Sequence, residues 1–334
     1  MRIVRTVSLF LTFSLAAVEP ALSQHPQQSR LLANPHSLIN LLKQTPGSHA
    51  ALPSRGNQSS NSAHNAVSMG LAKTKIYRFA SADYPGASTS IVFDKNTSTA
   101  VGAFVFSSGL ANAFTFKGGN YEILSVPGSV AALIGGINTS GEMVGGYGDP
   151  SNNVHGFVDN AGTITSFDFP GGSDTIAYEV NDSGEIVGNY EDAASNSHGF
   201  LDNAGVFTSI DYPGTTTGTT ATGIDSAGDI VGGWLDATNV QHGFLLSNGI
   251  FTPLDFPLAT STTAAGINDD GEISGSFIDA SNMGHGFIYA SGTWSQIDVA
   301  GASGTELAQI KNNHNVTGTY EDSLNMETHG LTGH

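Results

Sequence analysis

SDTIAYEVNDSGEIVGNYEDAASNSHGFLDNAGVFTSIDYPG, residues 173–214, carries the plan of most of this chain in one unit. Thr175 to Val180 is a β-rich run that stops at Asn181-Asp182-Ser183-Gly184. Glu185 to Tyr190 follows and gives way to the polar stretch Glu191 to Ser197. His198 to Asp202 comes third, closed by Asn203-Ala204-Gly205, and Val206 to Asp211 fourth, closed by Tyr212-Pro213-Gly214. Short β-rich runs punctuated by Asn, Asp, Gly and Pro are strands joined by tight turns, so the unit holds four strands, a to d.

The unit recurs. His155-Gly156-Phe157, His198-Gly199-Phe200, His242-Gly243-Phe244, His285-Gly286-Phe287 and His329-Gly330-Leu331 are separated by 43, 44, 43 and 44 residues. Turn chemistry keeps the same step. Asn138-Thr139-Ser140-Gly141, Asp225-Ser226-Ala227-Gly228 and Asn268-Asp269-Asp270-Gly271 repeat the a–b turn, and Asp83-Tyr84-Pro85-Gly86 and Asp168-Phe169-Pro170-Gly171 repeat the exit from strand d. Asn and Asp bond their own backbone two residues on, Gly closes the turn, and Pro ends strand pairing.

Four antiparallel strands at such a period predict a β-propeller blade, because a solenoid coil uses two or three strands per turn. Complete blades span 87–128, 129–172, 173–214, 215–259 and 260–302, and residues 303–334 supply strands a, b and c of a sixth. The missing strand d lies at the other end, in Tyr77 to Gly86, where Phe79, Ser81 and Asp83 align with Phe207, Ser209 and Asp211. The expected fold is therefore an all-β, six-bladed β-propeller with four antiparallel strands per blade, closed by an N-terminal strand completing the last blade. Closure removes the exposed sheet edges that template aggregation.

Outside the array, residues 1–23 read as a signal peptide: Arg2 and Arg5, an apolar stretch from Val7 to Val18, and Ala21-Leu22-Ser23 as the cleavage site. That stretch is too short to span a bilayer. Residues 24–72 are rich in Gln, Ser, Asn, His and Pro and read as a flexible low-complexity leader with one short helix at Leu38 to Lys43. The propeller is assigned to 73–334. Cysteine is absent, so disulfides play no part, and about 310 mature residues suffice for an unaided core. Together these features predict a secreted, soluble chain, read as a monomer.

Charge is divided sharply. Residues 1–78 hold eight of the eleven Lys and Arg and one acid, Glu19, whereas residues 79–334 hold Lys95, Lys117 and Lys311 against 28 acids. Such a surface repels phosphate backbones and anionic membranes, which argues against nucleic-acid and membrane partners. It leaves extracellular carbohydrate or protein as the partner classes.

In five repeats an Asp ends strand b and a His begins strand c: Asp149 with His155, Asp192 with His198, Asp236 with His242, Asp279 with His285, and Asp322 with His329. Each pair flanks one loop and could meet across it. The structural reading is a carboxylate pinning an imidazole; the other is a divalent-metal ligand pair. Pairs spread around a ring do not converge on one ion, so these ten residues are assigned to the repeat architecture. The phenylalanines after each Gly are expected to fill the space between blades, and Trp234 and Trp294, which replace repeated apolar or aromatic positions, to do the same.

The acids Asp182, Asp269, Asp270 and Glu272 in the a–b turns lack a calcium-loop pattern. Weak calcium binding stays open, and no cofactor is expected. The chain has no G-x-S-x-G elbow, Walker loop or His-Glu-x-x-His string, so no catalytic residue is assigned. Departures from the repeat point to a ligand site instead. In blade one Asn112 replaces His, Phe106 replaces Asp, and Lys117 adds a rare base; in blade six Lys311 and His314 stand in the a–b turn. Asn112, Lys117, Lys311 and His314 are the ligand-binding candidates.

The repeated string, read on Gly136-Ile137-Asn138, Gly141, Gly145, Tyr147, Asp149, His155-Gly156-Phe157 and Asp168-Phe169-Pro170-Gly171, resembles the extracellular HAF-repeat family, named for a His-Ala-Phe triplet. The resemblance covers about residues 75–334, with Gly in place of Ala. It implies a bacterial exported propeller-like protein and transfers no reaction or catalytic residue. Family members often end in a sorting tail, and a chain ending at His334 without one is expected to be released. The leading expectation is a secreted non-catalytic binding or interaction module. A polysaccharide-acting enzyme using carboxylates near the propeller axis and a cation-stabilised structural protein remain the alternatives.

Overall fold

Four strands per unit, each too short to bury a core alone, are satisfied by stacking units face to face around an axis. In the computed structural model the described residues are 42–43, 63–65, 77–106, 109–215, 218–323 and 327–334. Blade one consists of Thr89–Lys95, Thr99–Val105, Ala111–Lys117 and Asn120–Ile123. Blade two is Ala131–Ile137, Met143–Gly148, Val154–Asn160 and Thr163–Phe167. Blade three is Ser173–Val180, Glu185–Glu191, Ser197–Asn203 and Val206–Ile210; blade four is Thr219–Ile224, Ile230–Leu235, Gln241–Ser247 and Ile250–Leu254. Blade five is Ser261–Ile267, Ile273–Ile278, Gly284–Ala290 and Thr293–Ile297. Within each, consecutive strands pair antiparallel.

Blade six takes Ala302–Ile310, Val316–Asp322 and Thr328–Gly333 from the end of the chain and Arg78–Ser81 from its N-terminal part. Phe79 pairs with Gly333, Ala80 with Thr332 and Ser81 with Leu331, so the ring closes as the repeat arithmetic predicts. A short strand, Ala63–Asn65, adds antiparallel to the outside of Arg78–Ala80. This strand lies in the region read from sequence as flexible leader. Residues 1–41, and with them the expected signal peptide, lie outside the described residues, as do 73–76. No helix of the described residues is long and apolar enough to cross a membrane.

Two faces result. The turn face carries the a–b and c–d turns; the loop face carries the b–c loops and the d-to-a connections. Every innermost strand contains a register shift, between Val92 and Asp94, Ile134 and Gly136, Ala177 and Glu179, Ala221 and Gly223, Ala264 and Gly266, and Leu307 and Ile310. A bulge repeated at one level in six strands tightens the twist around the axis.

The core lies in the seams. Phe114, Phe157, Phe200, Phe244 and Phe287 are fully buried. Phe157 packs on Val101 and Ala113 of blade one as well as on Ala132 and Ile134 of its own blade. The preceding glycine lets the blades close: a Cβ on Gly199 would stand 3.1 Å from the Ala221 backbone nitrogen of the next blade. The His-Gly-Phe string is thus a seam device, as its regularity suggests.

Candidate functional site

Four of the repeat histidines, His155, His198, His242 and His285, sit on the loop face between two carboxylates each. His155 Nδ1 lies 2.9 Å from Asp168 Oδ1 and its Nε2 3.6 Å from Asp149 Oδ2. The corresponding distances are 2.6 and 3.4 Å for His198 with Asp211 and Asp192, 3.0 and 3.6 Å for His242 with Asp255 and Asp236, and 2.9 and 3.6 Å for His285 with Asp298 and Asp279. The shorter partner is the aspartate leaving strand d, which sequence reasoning overlooked. Its signal was present: an Asp stands thirteen residues after each of these histidines.

In blade six the exit aspartate is Asp83. His329 Nδ1 bonds Asp83 at 3.0 Å, from the closing strand, and its buried Nε2 has no hydrogen-bond partner among the described residues. Here the aspartate that matters arrives from the other end of the chain, because strand d of blade six does.

The b–c aspartates have a second task. Asp149 Oδ1 accepts from the amides of Ser151 and Asn153, both at 2.8 Å, and Asp192 and Asp236 fold their loops the same way. These amide bonds and the Asn196 side chain hold Asp192 below the ordinary carboxylate range; the Val240 and Thr238 bonds hold Asp236 at about 2.

Three of the imidazoles also end an aromatic stack that crosses a seam. Phe169, leaving blade two, stacks on Tyr190 of blade three at 3.7 Å, and Tyr190 on His198 at 5.1 Å. Tyr212, Trp234 and His242 repeat this at 4.1 and 4.6 Å, as do Phe256, Phe277 and His285 at 3.7 and 5.0 Å. Trp234 is a seam residue, and Trp294 packs against Phe256 and Phe287.

Blade one loses the set as a unit: Asn112 for His, Phe106 for the b–c aspartate and Ser125 for the exit aspartate. Joint loss fits three groups that act only together. Asn112 donates to the Leu110 carbonyl at 3.0 Å, and Phe106 packs edge-on against Tyr84.

Charged side chains from three blades meet inside the ring. Lys311 Nζ lies 2.8 Å from Asp94 Oδ1 and 3.3 Å from Glu179 Oε1, joining blades six, one and three across the ring. Asp94, fully buried, also accepts from the Ile137 amide of blade two at 2.8 Å. Burial and the charge of Asp94 push Glu179 well above the ordinary carboxylate range, against the pull of Lys311. Gln309 Nε2 reaches the Thr222 carbonyl on blade four at 3.5 Å. Among the described residues no three His, Asp or Glu side chains gather as a metal site.

The four ligand candidates do not converge. Asn112 begins strand c on the loop face; Lys117 ends it on the turn face, exposed. Lys311 turns into the channel, and His314 Nδ1 pairs with Glu272 Oε2 of blade five at 2.6 Å.

No family model matches the chain, and no curated protein matches it in sequence. Solved structures do. TolB from Acinetobacter baumannii is similar at 10% identity over 71% of this chain and 64% of that one, with a TM-score of 0.50. A fungal lectin from Aleuria aurantia, a six-bladed β-propeller with a fucose recognition mode, is 12% identical over 73% of this chain and 91% of its own, with a TM-score of 0.48. AofleA from Arthrobotrys oligospora is 11% identical over 77% and 86%, with a TM-score of 0.48. At these identities the likeness reaches the propeller fold and goes no further.

Proposed function

We propose that this chain is an exported, multivalent binding module that takes an extracellular carbohydrate on the loop face of the propeller. One observation carries the reading. Asp168, Asp211, Asp255 and Asp298 stand at equivalent places on four blades, with side chains 53%, 49%, 48% and 36% exposed and one oxygen of each fixed by a histidine. A carboxylate already fixed in orientation accepts hydroxyl donors with little reorganisation. A formal net charge of −18 selects against anionic ligands and leaves neutral or basic sugars. The second oxygens of Asp211 and Asp298 also accept from Ser209 and Gln296, at 2.8 and 2.7 Å, and four like-placed sites on one rigid ring turn weak contacts into avidity.

A labelled glycan array followed by titration calorimetry tests this. Asp168→Asn with Asp255→Asn should weaken binding to a multivalent glycan about tenfold or more. Folded protein that binds no glycan on the array would overturn the reading.

A further inference from the structure

Leu42 and Lys43 belong to the segment read as leader, yet Leu42 is fully buried in the propeller and Lys43 Nζ lies 2.5 Å from Asp174 Oδ2. The Leu42 side chain enters an apolar cluster formed with Ile91, Ala111, Leu133, Val154, Ile176 and Tyr178, drawn from blades one, two and three. Asp174 is poised by its backbone. It sits in a register shift at the start of its strand with φ at 49°, and its Oδ1 accepts from the Val154 amide at 3.1 Å.

Blade two is cut away to receive the segment. A Cβ on Gly148 would stand 2.0 Å from the Leu42 carbonyl oxygen, and one on Gly146 3.1 Å from Leu42 Cδ1. At the place of Gly148, just before the b–c loop, the other blades carry Val105, Glu191, Leu235, Ile278 and Glu321. The glycine therefore answers to the docked backbone and not to the blade. Charge agrees. Residues 24–72 hold Arg30, Lys43 and Arg55 with no acid, whereas residues 73–334 hold 28 acids against six bases.

We propose that the loop-face mouth of the channel, between blades one, two and three, is a peptide-binding slot for an apolar residue followed by a base, and that the leader fills it in cis through Leu42 and Lys43. The leader is then the propeller's own basic partner, and the uneven charge of the chain is its electrostatic complement. The slot takes a linear basic peptide and is distinct from the histidine rim.

The full chain tests this in two measurements. Trypsin cleavage after Lys43 should be slow in the wild type and about tenfold or more faster in Gly148→Leu, where the side chain occupies the slot. That variant should fold, because Leu235 occupies the equivalent place in blade four; Asp174→Asn, which keeps the slot but removes its charge, should give a smaller acceleration. Equal rates in all three proteins would overturn the docking. In the second measurement, a fluorescent peptide with the sequence of residues 38–47 is titrated by anisotropy. It should bind the Leu42→Gly, Lys43→Ser double variant about tenfold more tightly than the wild type, whose slot is filled, and lose binding when Gly148→Leu is added. Failure to bind the double variant, or binding indifferent to Gly148→Leu, would overturn the slot.

Discussion

Lys311 on blade six meets Asp94 on blade one inside the ring at 2.8 Å, and Glu179 of blade three lies 3.3 Å from the same nitrogen. Burial opposes the ammonium, but the two carboxylates outweigh it and hold Lys311 above the ordinary lysine range. A residue singled out as a ligand candidate because it breaks the repeat is thus the counter-ion of two acids inside the ring.

Removing that counter-ion leaves two buried acids facing each other. Lys311→Met is expected to cost about 3–5 kcal/mol in urea unfolding at neutral pH. Adding Asp94→Asn and Glu179→Gln should recover most of the loss. A single variant within about 0.5 kcal/mol of wild type would show that the triad contributes nothing net.

The rim histidines predict a pH dependence of stability. Asp298 raises His285 and Asp83 raises His329, each against burial; in His198 burial lowers the charge and Asp211 with Asp192 outweighs it. A raised folded value means stability fully present below the unfolded imidazole value, about 6.5, and lost as pH rises through the folded one. Melting temperature should therefore fall from slightly acid to slightly alkaline buffer. Replacing these three histidines with Gln should flatten that slope, and an unaltered slope would rule out the assignment.

A ladder of side-chain amides links the a–b turns on the opposite face. Asn96 donates to the Asn138 carbonyl at 3.2 Å, Asn138 to Asn181 at 3.2 Å, Asn181 to Asp225 at 3.0 Å and Asn268 to Lys311 at 3.3 Å. Asp225 interrupts it, since a carboxylate has no proton to donate. Burial raises Asp225, against the backbone bonds from Asp229 and Ala227. Asp225→Asn should supply the missing donor and stabilise by about 0.5–1.5 kcal/mol at neutral pH. A raised acid is penalised above its folded value and not below its unfolded one, so the gain should shrink as the carboxyl protonates. Unfolding curves at two pH values check both parts, and destabilisation at neutral pH would refute the ladder.

Seam packing predicts a plain contrast. Phe200 is fully buried and Val206, six residues on, is 68% exposed. Phe200→Ala should cost about 3–5 kcal/mol, and Val206→Ala should stay within about 0.5 kcal/mol. Similar costs for both would contradict the assignment of the core to the blade seams.

Most of the architecture is legible in the chain because blades are local. Each turn signal acts within a few residues, and a period of 43 or 44 converts those signals into six units. The closing strand was legible for the same reason: Phe79, Ser81 and Asp83 repeat the pattern of Phe207, Ser209 and Asp211. The histidine partners were half legible. A b–c hairpin brings Asp149 to His155, but strand d returns beside strand c, with Gly199 opposite Ile210, and delivers Asp211 closer to His198 than Asp192 comes.

Residues that break the repeat behaved differently. Neither Lys311 nor Gly148 is repeated at its place in the other blades, and their partners lie far along the chain. Sequence alone determined the blade, its turns, the seam phenylalanines and the closure of the ring, because periodic short-range patterns leave one way to bury each sheet. Only the tertiary structure decided that Lys311 crosses the axis to Asp94 and Glu179, and that Leu42 lies in the glycine-lined slot of blade two. Closing the ring brings remote blades together around the axis, and which buried groups then meet depends on shape and charge across it.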